Sequence, residues 1–242
     1  MDVSIDHQPS YALAVVSLSE GETIQAESGA MVSMSSTIQV ETGMKGGLLQ
    51  SVTRKLFGGE SLFTNTFTAI GSAGELTLAP SLPGDITSVS LSGETMYIQS
   101  GSFLAGDPGI ELDLKWGGAR TFFGSEGLFL LRASGNGPLL VSSYGAIHRV
   151  QVTPSAPYIC DTGHIVAFTQ GLDFNIRKVG GLKATLLSGE GLVCNFQGQG
   201  TLYLQTRSTQ AFLSWLIPRL PTGTGGGGGR RGGVWGNLLG GR

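Results

Sequence analysis

The sequence is poor in cysteine, histidine and charge, and each shortage narrows the range of functions. Two cysteines, Cys160 and Cys194, are too few for a disulfide framework, so two reduced thiols in a cytosolic protein are predicted. Three histidines, His7, His148 and His164, leave little material for a metal or catalytic centre. Charged residues make up only 13% of the 242 residues, and no apolar run is long enough to span a membrane.

The two ends of the chain differ in charge. Met1–Ser10 has no apolar run, so neither a signal peptide nor a transit peptide is predicted. The expected location is the bacterial cytoplasm, with membrane association left open. Through Arg207 the chain carries 11 basic and 17 acidic residues, a net charge of −6, and the remainder carries four arginines and no acid. A negative body argues against a phosphate-binding surface, so nucleic acid is not expected as a partner.

Glycine is the residue in excess. Of 40 glycines, 11 follow Pro221, and the other 29 are spread through the body at the ends of short apolar runs. This distribution is typical of many tight turns between strands. Residues 222–242 are too rich in glycine to build a core and are predicted to form a disordered Gly/Arg-rich tail.

Four landmarks recur three times in the same order, which predicts three tandem copies of one β-unit. Each unit ends an apolar strand with an acidic or amide residue, a small residue and glycine. A glycine pair, a glutamate beside glycine and leucine, and a glycine turn into a final strand then follow. The strand ends are Glu27-Ser28-Gly29, Gln99-Ser100-Gly101 and Asp161-Thr162-Gly163 in the first, second and third unit. In the same order, the glycine pairs are Gly46-Gly47, Gly117-Gly118 and Gly180-Gly181, and the glutamates are Glu60, Glu126 and Glu190. The repeats span approximately 11–80, 86–144 and 150–207.

Alternating apolar residues within the repeats indicate strands with one buried and one solvated face. The alternating sets are Ile38 and Val40; Ile110, Leu112 and Leu114; and Leu172, Phe174 and Ile176. Three such units cannot bury their apolar faces alone. The prediction is therefore one all-β domain over 1–221, with three repeats packed around a pseudo-threefold axis that removes exposed sheet edges, and one C-terminal helix.

Two departures from the repeat are candidate interaction surfaces. Residues 48–57 lengthen the loop of the first repeat, although their apolar side chains fold back on the core in the alternative interpretation. Residues 208–217 predict a helix, capped by Ser208 or Thr209 and ended by Pro218, with apolar residues around most of its circumference. That distribution indicates a packed helix. The candidate interaction residues are Arg54, Lys55, Leu56, Phe57, Trp215, Arg230, Arg231 and Trp235.

Candidate chemistry is sparse. Cys160 and His164 fall short of the ligand set that zinc needs, so neither a metal nor a cofactor is expected, although a Cys160–His164 nucleophile pair stays open. The recurring glutamates indicate symmetric turn contacts, with a cation on a central axis as the alternative. A basic residue before each glycine pair (Lys45, Lys115 and Lys178) indicates a shared surface feature rather than an RNA code.

Longer stretches resemble a known family. They are Glu27-Ser28-Gly29-Ala30-Met31-Val32, Gly46-Gly47, 58–67, 101–105 and 123–128. In this order they resemble the altered-inheritance-of-mitochondria biogenesis family, over about Asp2 to Pro221. The resemblance implies an all-β fold of three β-sandwich units, each similar to a subunit of the tryptophan RNA-binding attenuation protein. Eukaryotic relatives are associated with mitochondrial inner-membrane organisation, and the family supplies no catalytic residues.

The leading hypothesis is a non-enzymatic scaffold or interaction protein. Its expected partners are proteins, with homo-oligomerisation and a peripheral membrane contact left open. A module that binds a small ligand or nucleic acid is the alternative. An enzyme that uses Cys160 and His164 is the third hypothesis, since fold alone does not fix function.

Overall fold

The computed structural model describes residues 1–42, 64–113, 129–178 and 192–220, and these form an all-β fold with one C-terminal helix. The strands fall into three segments in chain order, which correspond to the three predicted repeats: residues 1–80, 81–144 and 145–220. The first segment contains β1 Asp2–Asp6, β2 Leu13–Leu18, β3 Thr23–Glu27, β4 Met31–Met34, β5 Ile38–Thr42, β6 Thr64–Ala69 and β7 Gly74–Leu78. The second contains β8 Ile86–Gln99, β9 Phe103–Gly106, β10 Ile110–Asp113 and β11 Leu130–Ser142. The third contains β12 Ile147–Val152, β13 Tyr158–Asp161, β14 Ile165–Thr169, β15 Leu172–Lys178, β16 Leu192–Gly198 and β17 Gly200–Gln205, then α1 Thr209–Leu216 and a 3₁₀ turn Ile217–Arg219.

The all-β prediction and the C-terminal helix are confirmed. The alternating residues lie in β5, β10 and β15, apart from Leu114, which is outside the described residues. One-sided burial fails in β5, where Ile38 is buried but Val40 is exposed. The reason is that β5 is the outermost strand of its sheet and leaves the core after Ile38.

One pairing scheme occurs in all three segments. In the first segment, β7 lies between β2 and β4, and β6 lies between β3 and β5. In the third, β17 lies between β12 and β14, and β16 lies between β13 and β15. In the second segment, the end of β11 lies between the start of β8 and β9. The start of β11 lies between the end of β8 and β10. The likeness of each segment to the attenuation protein stays a prediction.

Strands also pair across the boundaries between segments. The end of β3 pairs with β9, and the end of β8 pairs with β14, so a ten-stranded sheet runs through all three segments. The remaining described strands form two smaller sheets: a four-stranded sheet of the first segment, β1-β2-β7-β4, and a three-stranded sheet of the third segment, β13-β16-β15. The described strands contain no pair between β13 and β4, and the pseudo-threefold axis stays a prediction.

In the part of the chain that the structure describes, buried apolar side chains form three clusters, and each one crosses a segment boundary. The cluster of the first segment includes Leu104 and Leu140 of the second. The cluster of the second includes Val166 of the third, and the cluster of the third includes Leu130 of the second. Because the buried area is shared, each segment depends on its neighbour for hydrophobic stabilisation.

The starts of the second and third segments meet in a tight backbone contact. Gly84 and Gly145 form a parallel bridge, and the Asp85 N–H donates to the Gly145 carbonyl at 3.0 Å. The Ser143 N–H donates in turn to the Asp85 carbonyl at 3.0 Å. A Cβ atom on Gly84 would lie 1.6 Å from the Ser143 carbonyl oxygen, so this approach requires glycine.

Candidate functional site

A cleft of about 530 Å³ lies beside α1 and is lined by residues from all three segments. Its volume is within the range of small-molecule sites in proteins. Three of the landmark motifs meet there, since Glu27, Gln99 and Gly163 all line the cleft. The sequence identifies these motifs only as marks of a repeat, so their convergence on one site is a finding of the structure.

Among the described residues that line this cleft, Glu27 is the one with a carboxyl side chain. It ends β3 and its side chain is half-buried. Burial raises the pKa of Glu27 from its ordinary value of 4.5 to about 7, because the charged form loses hydration. A carboxyl group with a pKa near 7 is partly protonated at neutral pH, so it can exchange a proton and can donate as well as accept a hydrogen bond.

Hydrogen bonds fix the wall of the cleft formed by the third segment. The Gln205 side-chain amide donates to the Gly163 carbonyl at 2.9 Å, and its oxygen accepts from the Tyr144 N–H at 2.9 Å. Asp161 accepts from the Gly163 N–H at 2.8 Å, which holds the motif turn. In the second segment Ser102 donates to the Gln99 side-chain oxygen at 3.0 Å. These side chains are therefore positioned before any ligand arrives.

Helix α1 forms the opposite wall and begins where the sequence predicts. Ser208 caps it by accepting from the Ala211 N–H at 3.4 Å. The Phe212 ring meets Tyr144 edge-on, with 6.0 Å between ring centroids, and Phe212 is only half-buried.

The prediction that α1 is a packed helix is wrong for most of its surface within the described residues, because none of its residues is buried. Trp215 is 55% exposed and Ile217, just beyond the helix, is 60% exposed. The Arg219 guanidinium lies 4.9 Å from the centre of the Trp215 ring. The physical reason for the difference is that α1 rests on the fold through one side only, and no described layer covers its other face.

The outer edges of β4 and β13, which belong to different sheets, are two further exposed surfaces. Met31, Val32 and Met34 of β4 are exposed, as is Ile159 of β13. Both strands are the last in their sheets, so one row of backbone N–H and C=O groups on each pairs with no described strand. The apolar residues can be read from the sequence, but the sequence does not show that β4 and β13 are edge strands.

The proposed Cys160–His164 pair lies near the second of these edges. Cys160 faces Cys194 across β13 and β16, and both thiols are free. Burial, with the Asp161 carboxylate adding to it, raises the pKa of Cys160 to about 12, and burial raises that of Cys194 as well. The His164 Nδ1 donates to the Gln205 carbonyl at 2.7 Å. A thiol held protonated is a weak nucleophile.

Most of the other residues singled out from the sequence lie outside the described residues. Of the candidate interaction residues, Trp215 is described and exposed. Those outside are Arg54, Lys55, Leu56, Phe57, Arg230, Arg231 and Trp235, together with Lys45, Lys115, Glu60, Glu126, Glu190 and the three glycine pairs. Lys178 ends β15, but its side chain is also outside.

Within the described ranges, no group of three or more His, Cys, Asp or Glu side chains is arranged to hold a metal ion. In the same ranges, no helix combines the length and the apolar character needed to cross a bilayer.

Known proteins match this chain over most of its length. The family model for mitochondrial biogenesis AIM24 matches residues 3–207. An uncharacterized protein of Streptococcus pyogenes serotype M6 is 29% identical over 230 residues, which are 92% of this chain and 92% of that protein. A crystal structure of a Streptococcus pyogenes protein has a TM-score of 0.73 and 27% identity, and the match covers 90% of this chain and 99% of that one. The resemblance drawn from the sequence is thereby confirmed, and the chain belongs to the mitochondrial biogenesis AIM24 family.

Proposed function

We propose that the chain is a non-enzymatic scaffold that binds other protein chains through three exposed apolar surfaces. One observation carries the proposal. Of the eleven large hydrophobic residues exposed in the described part of the chain, eight lie on β4, β13 and the α1 region. In the α1 region they are Leu213, Trp215, Ile217 and Leu220. Grouped apolar residues on a soluble domain are typical of interaction sites, whereas scattered ones are ordinary.

The α1 region has the composition of a protein-binding site. Trp215 stacks under Arg219, and tryptophan and arginine are the residues that most often dominate binding energy at interfaces. Leu213 and Ile217 extend the apolar area beside them. We propose a protein partner with a complementary apolar surface, with contact to a lipid surface as the outcome that would contradict it.

A photo-crosslinking experiment tests the α1 site. A photoreactive aromatic residue in place of Trp215, in the cells that make the protein, should give one discrete protein adduct. Tyr11 is the matched control, because it is an aromatic residue that is 75% exposed and lies away from the three surfaces in the sequence. The same yield from both positions, or adducts with lipid alone, would contradict the proposal.

A purified partner then provides the quantitative test. The protein identified by crosslinking should bind the wild-type chain, and Ile217→Ser should weaken that binding about tenfold or more, the loss typical of an interface anchor. Val40→Ser is the control, since Val40 is exposed outside the three surfaces. Equal affinities for the two variants would show that α1 is not the contact.

The chemistry near Cys160 supports a non-catalytic role. The raised pKa of this thiol is the opposite of what a nucleophilic cysteine needs, and the His164 ring is engaged by a backbone carbonyl. The proposal therefore assigns Cys160 and Cys194 to the apolar core of the third segment.

The cleft favours a second candidate function, the binding of a small polar ligand. Its volume, its preset amide groups and the nearly neutral pKa of Glu27 all suit such a ligand. Thermal-shift screening of the wild type and Glu27→Gln against a library of polar metabolites tests it. A compound that stabilises only the wild type would support the candidate, and equal responses from both proteins would contradict it.

A further inference from the structure

We propose that β13 of one molecule pairs with β4 of a second molecule of this chain, in an antiparallel register that places Ile159 opposite Met34. The inference deepens the proposed scaffold function, on which it rests, by naming a second copy as one partner. It follows from four observations: a repeated register, a contrast in burial, the residues of the two edges and their place in the sheets.

The first observation is that both boundaries between segments use the same register. Ala26 of β3 faces Ala105 of β9, and Ile98 of β8 faces Ala167 of β14. In both pairs the first residue lies three positions before the landmark glycine of its own segment. The partner lies four positions after the landmark glycine of the next segment. The boundary is therefore one pairing rule, used twice.

The same rule applied to the two free edges gives a defined pairing. The residue three positions before the third landmark glycine is Cys160, and the residue four positions after the first is Ser33. Cys160 should then face Ser33, and one step along the strands Ile159 should face Met34. At the boundary between the second and third segments, the corresponding pair is Tyr97 and Phe168, whose ring centroids are 5.1 Å apart.

The second observation is the burial of equivalent strands. Val32 of β4 is 58% exposed, whereas the residues that correspond to it, Leu104 of β9 and Val166 of β14, are fully buried. Met31 is likewise exposed, and its counterpart Phe103 is buried. The difference is that β9 and β14 each have a strand of the preceding segment beside them, and β4 has none among the described strands.

The third observation is that neither strand, in its own described residues, contains the lysine or proline that usually protects a free edge against pairing. Free edges in soluble proteins are commonly blocked by lysine, proline, a charged residue that points inward or a covering loop. β4 reads Met-Val-Ser-Met and has no charge or proline. β13 has one charge, on Asp161, and that side chain accepts a hydrogen bond from its own Gly163 N–H at 2.8 Å.

The fourth observation is the place of the two edges in the sheets. β13 ends the three-stranded sheet and β4 ends the four-stranded sheet, so pairing between molecules would merge them into one continuous sheet. Each molecule offers one edge of each kind. The contact is therefore head to tail, and repeated use gives a closed ring or a filament.

Disulfide trapping tests the register. In Met34→Cys/Ile159→Cys, mild oxidation should produce covalent oligomers on a non-reducing gel, because opposed residues of an antiparallel pair lie about 4.5–5.5 Å apart, within disulfide reach. Val32→Cys/Ile159→Cys is the matched control, displaced by two residues or about 7 Å along the strand. It should crosslink about tenfold less, since its thiols are beyond disulfide reach. The wild type, with its native cysteines, is treated in parallel.

The mass in solution tests the assembly without added cysteines. The wild type should sediment as a multiple of its 25.1 kDa chain mass. Val32→Lys and, on the other edge, Ile159→Lys should each reduce it to the monomer while the circular dichroism of the β-fold is kept. Val40→Lys places the same charge on an exposed valine of β5 and should leave the oligomer intact. If one edge variant does not fold, the other decides.

Three results would overturn the inference. They are a monomeric wild type, disulfides confined to a single molecule, and folded edge variants that keep the mass of the wild type. None of them affects the α1 site, which is tested by crosslinking at Trp215. Loss of the Trp215 adduct would leave the mass and the trapped disulfides unchanged, so the two proposals fail separately.

Discussion

At the scale of single residues, the cleft shows how position changes the chemistry of an ordinary side chain. Glu27 is one of 17 acidic residues and nothing in its local sequence marks it as unusual beyond the landmark motif. Its raised pKa results from burial in a folded cleft whose lining also includes Gln99 and Gln205, which lie far away in sequence. A sequence pattern names the residue but does not give its hydration.

Glu27→Gln should remove a pH dependence of stability. The pKa of this carboxyl is higher in the folded than in the unfolded chain, so its contribution is full below pH 4.5 and is lost as the pH rises towards 7. Urea unfolding at pH 4 to 8 should show the wild type losing stability over this window relative to the variant. Glu20→Gln, at an exposed turn, should follow the wild type. A Glu27→Gln profile parallel to the wild type would contradict the prediction.

Gly84→Ala should destabilise the protein strongly. The added methyl group would lie 1.6 Å from the Ser143 carbonyl oxygen, and the backbone of the contact must move to accept it. We expect a loss of about 3 kcal/mol or more in urea unfolding, the size typical of a backbone clash in a packed region. Gly101→Ala is the control, because its new methyl group would have no neighbour closer than 3.7 Å. That variant should stay within about 0.5 kcal/mol of the wild type.

At the scale of elements, alternation predicted strands better than it predicted their surroundings. Leu172, Phe174 and Ile176 do lie on one strand, β15. Val40 follows the same pattern but is exposed, because alternation reports the two faces of a strand and not whether a second layer lies over one of them. The alternation did not predict the lengths of strands β8 and β11, because both contain glycines, and glycines at the ends of apolar runs predict turns.

Helix α1 shows the same limit. Ser208 and the apolar run located its start correctly, because capping is a local interaction. A helix with apolar residues around most of its circumference is ordinarily buried, but its burial depends on which other elements surround it. Here the fold offers one contact side, near Tyr144, and leaves Trp215 in solvent.

Ser208→Ala should loosen α1 without unfolding the sheets. The hydroxyl accepts from the Ala211 N–H, and loss of such a cap costs about 1 kcal/mol, or roughly a fivefold change in the opening equilibrium. Hydrogen exchange should therefore speed up about fivefold within 209–216, and the strand amides should keep their rates. Thr209→Ala, at the next position, should leave the rates unchanged within twofold, since no cap is lost. A uniform acceleration across the chain would show that α1 is part of the core.

At the scale of the whole molecule, the order of strands in the sheets was the part that sequence could not supply. The landmarks predicted which stretches are equivalent, but the pairs between β3 and β9 and between β8 and β14 join strands that are far apart in the chain. The cleft has the same origin, because all three segments must be in place before it exists. Local patterns do not encode such neighbours.

The midpoint of thermal unfolding should depend on protein concentration. If the edges of β4 and β13 are covered by a second molecule, dissociation accompanies unfolding, and dilution favours the unfolded chain. We expect the wild-type midpoint to rise with protein concentration between about 1 and 100 μM, a range that includes common dissociation constants. The unfolding midpoint of Val32→Lys should not depend on protein concentration. A wild-type midpoint independent of concentration would contradict the assembly.

The sharing of sheets between segments also sets an order of events during synthesis. β3 emerges from the ribosome roughly 80 residues before β9, and β8 roughly 70 residues before β14, so at ordinary elongation rates each waits several seconds for its neighbour. β4 emerges among the first strands, and no described strand made later covers its outer edge. Its methionines and valine therefore stay exposed to chaperones throughout synthesis, until a second molecule covers them as proposed.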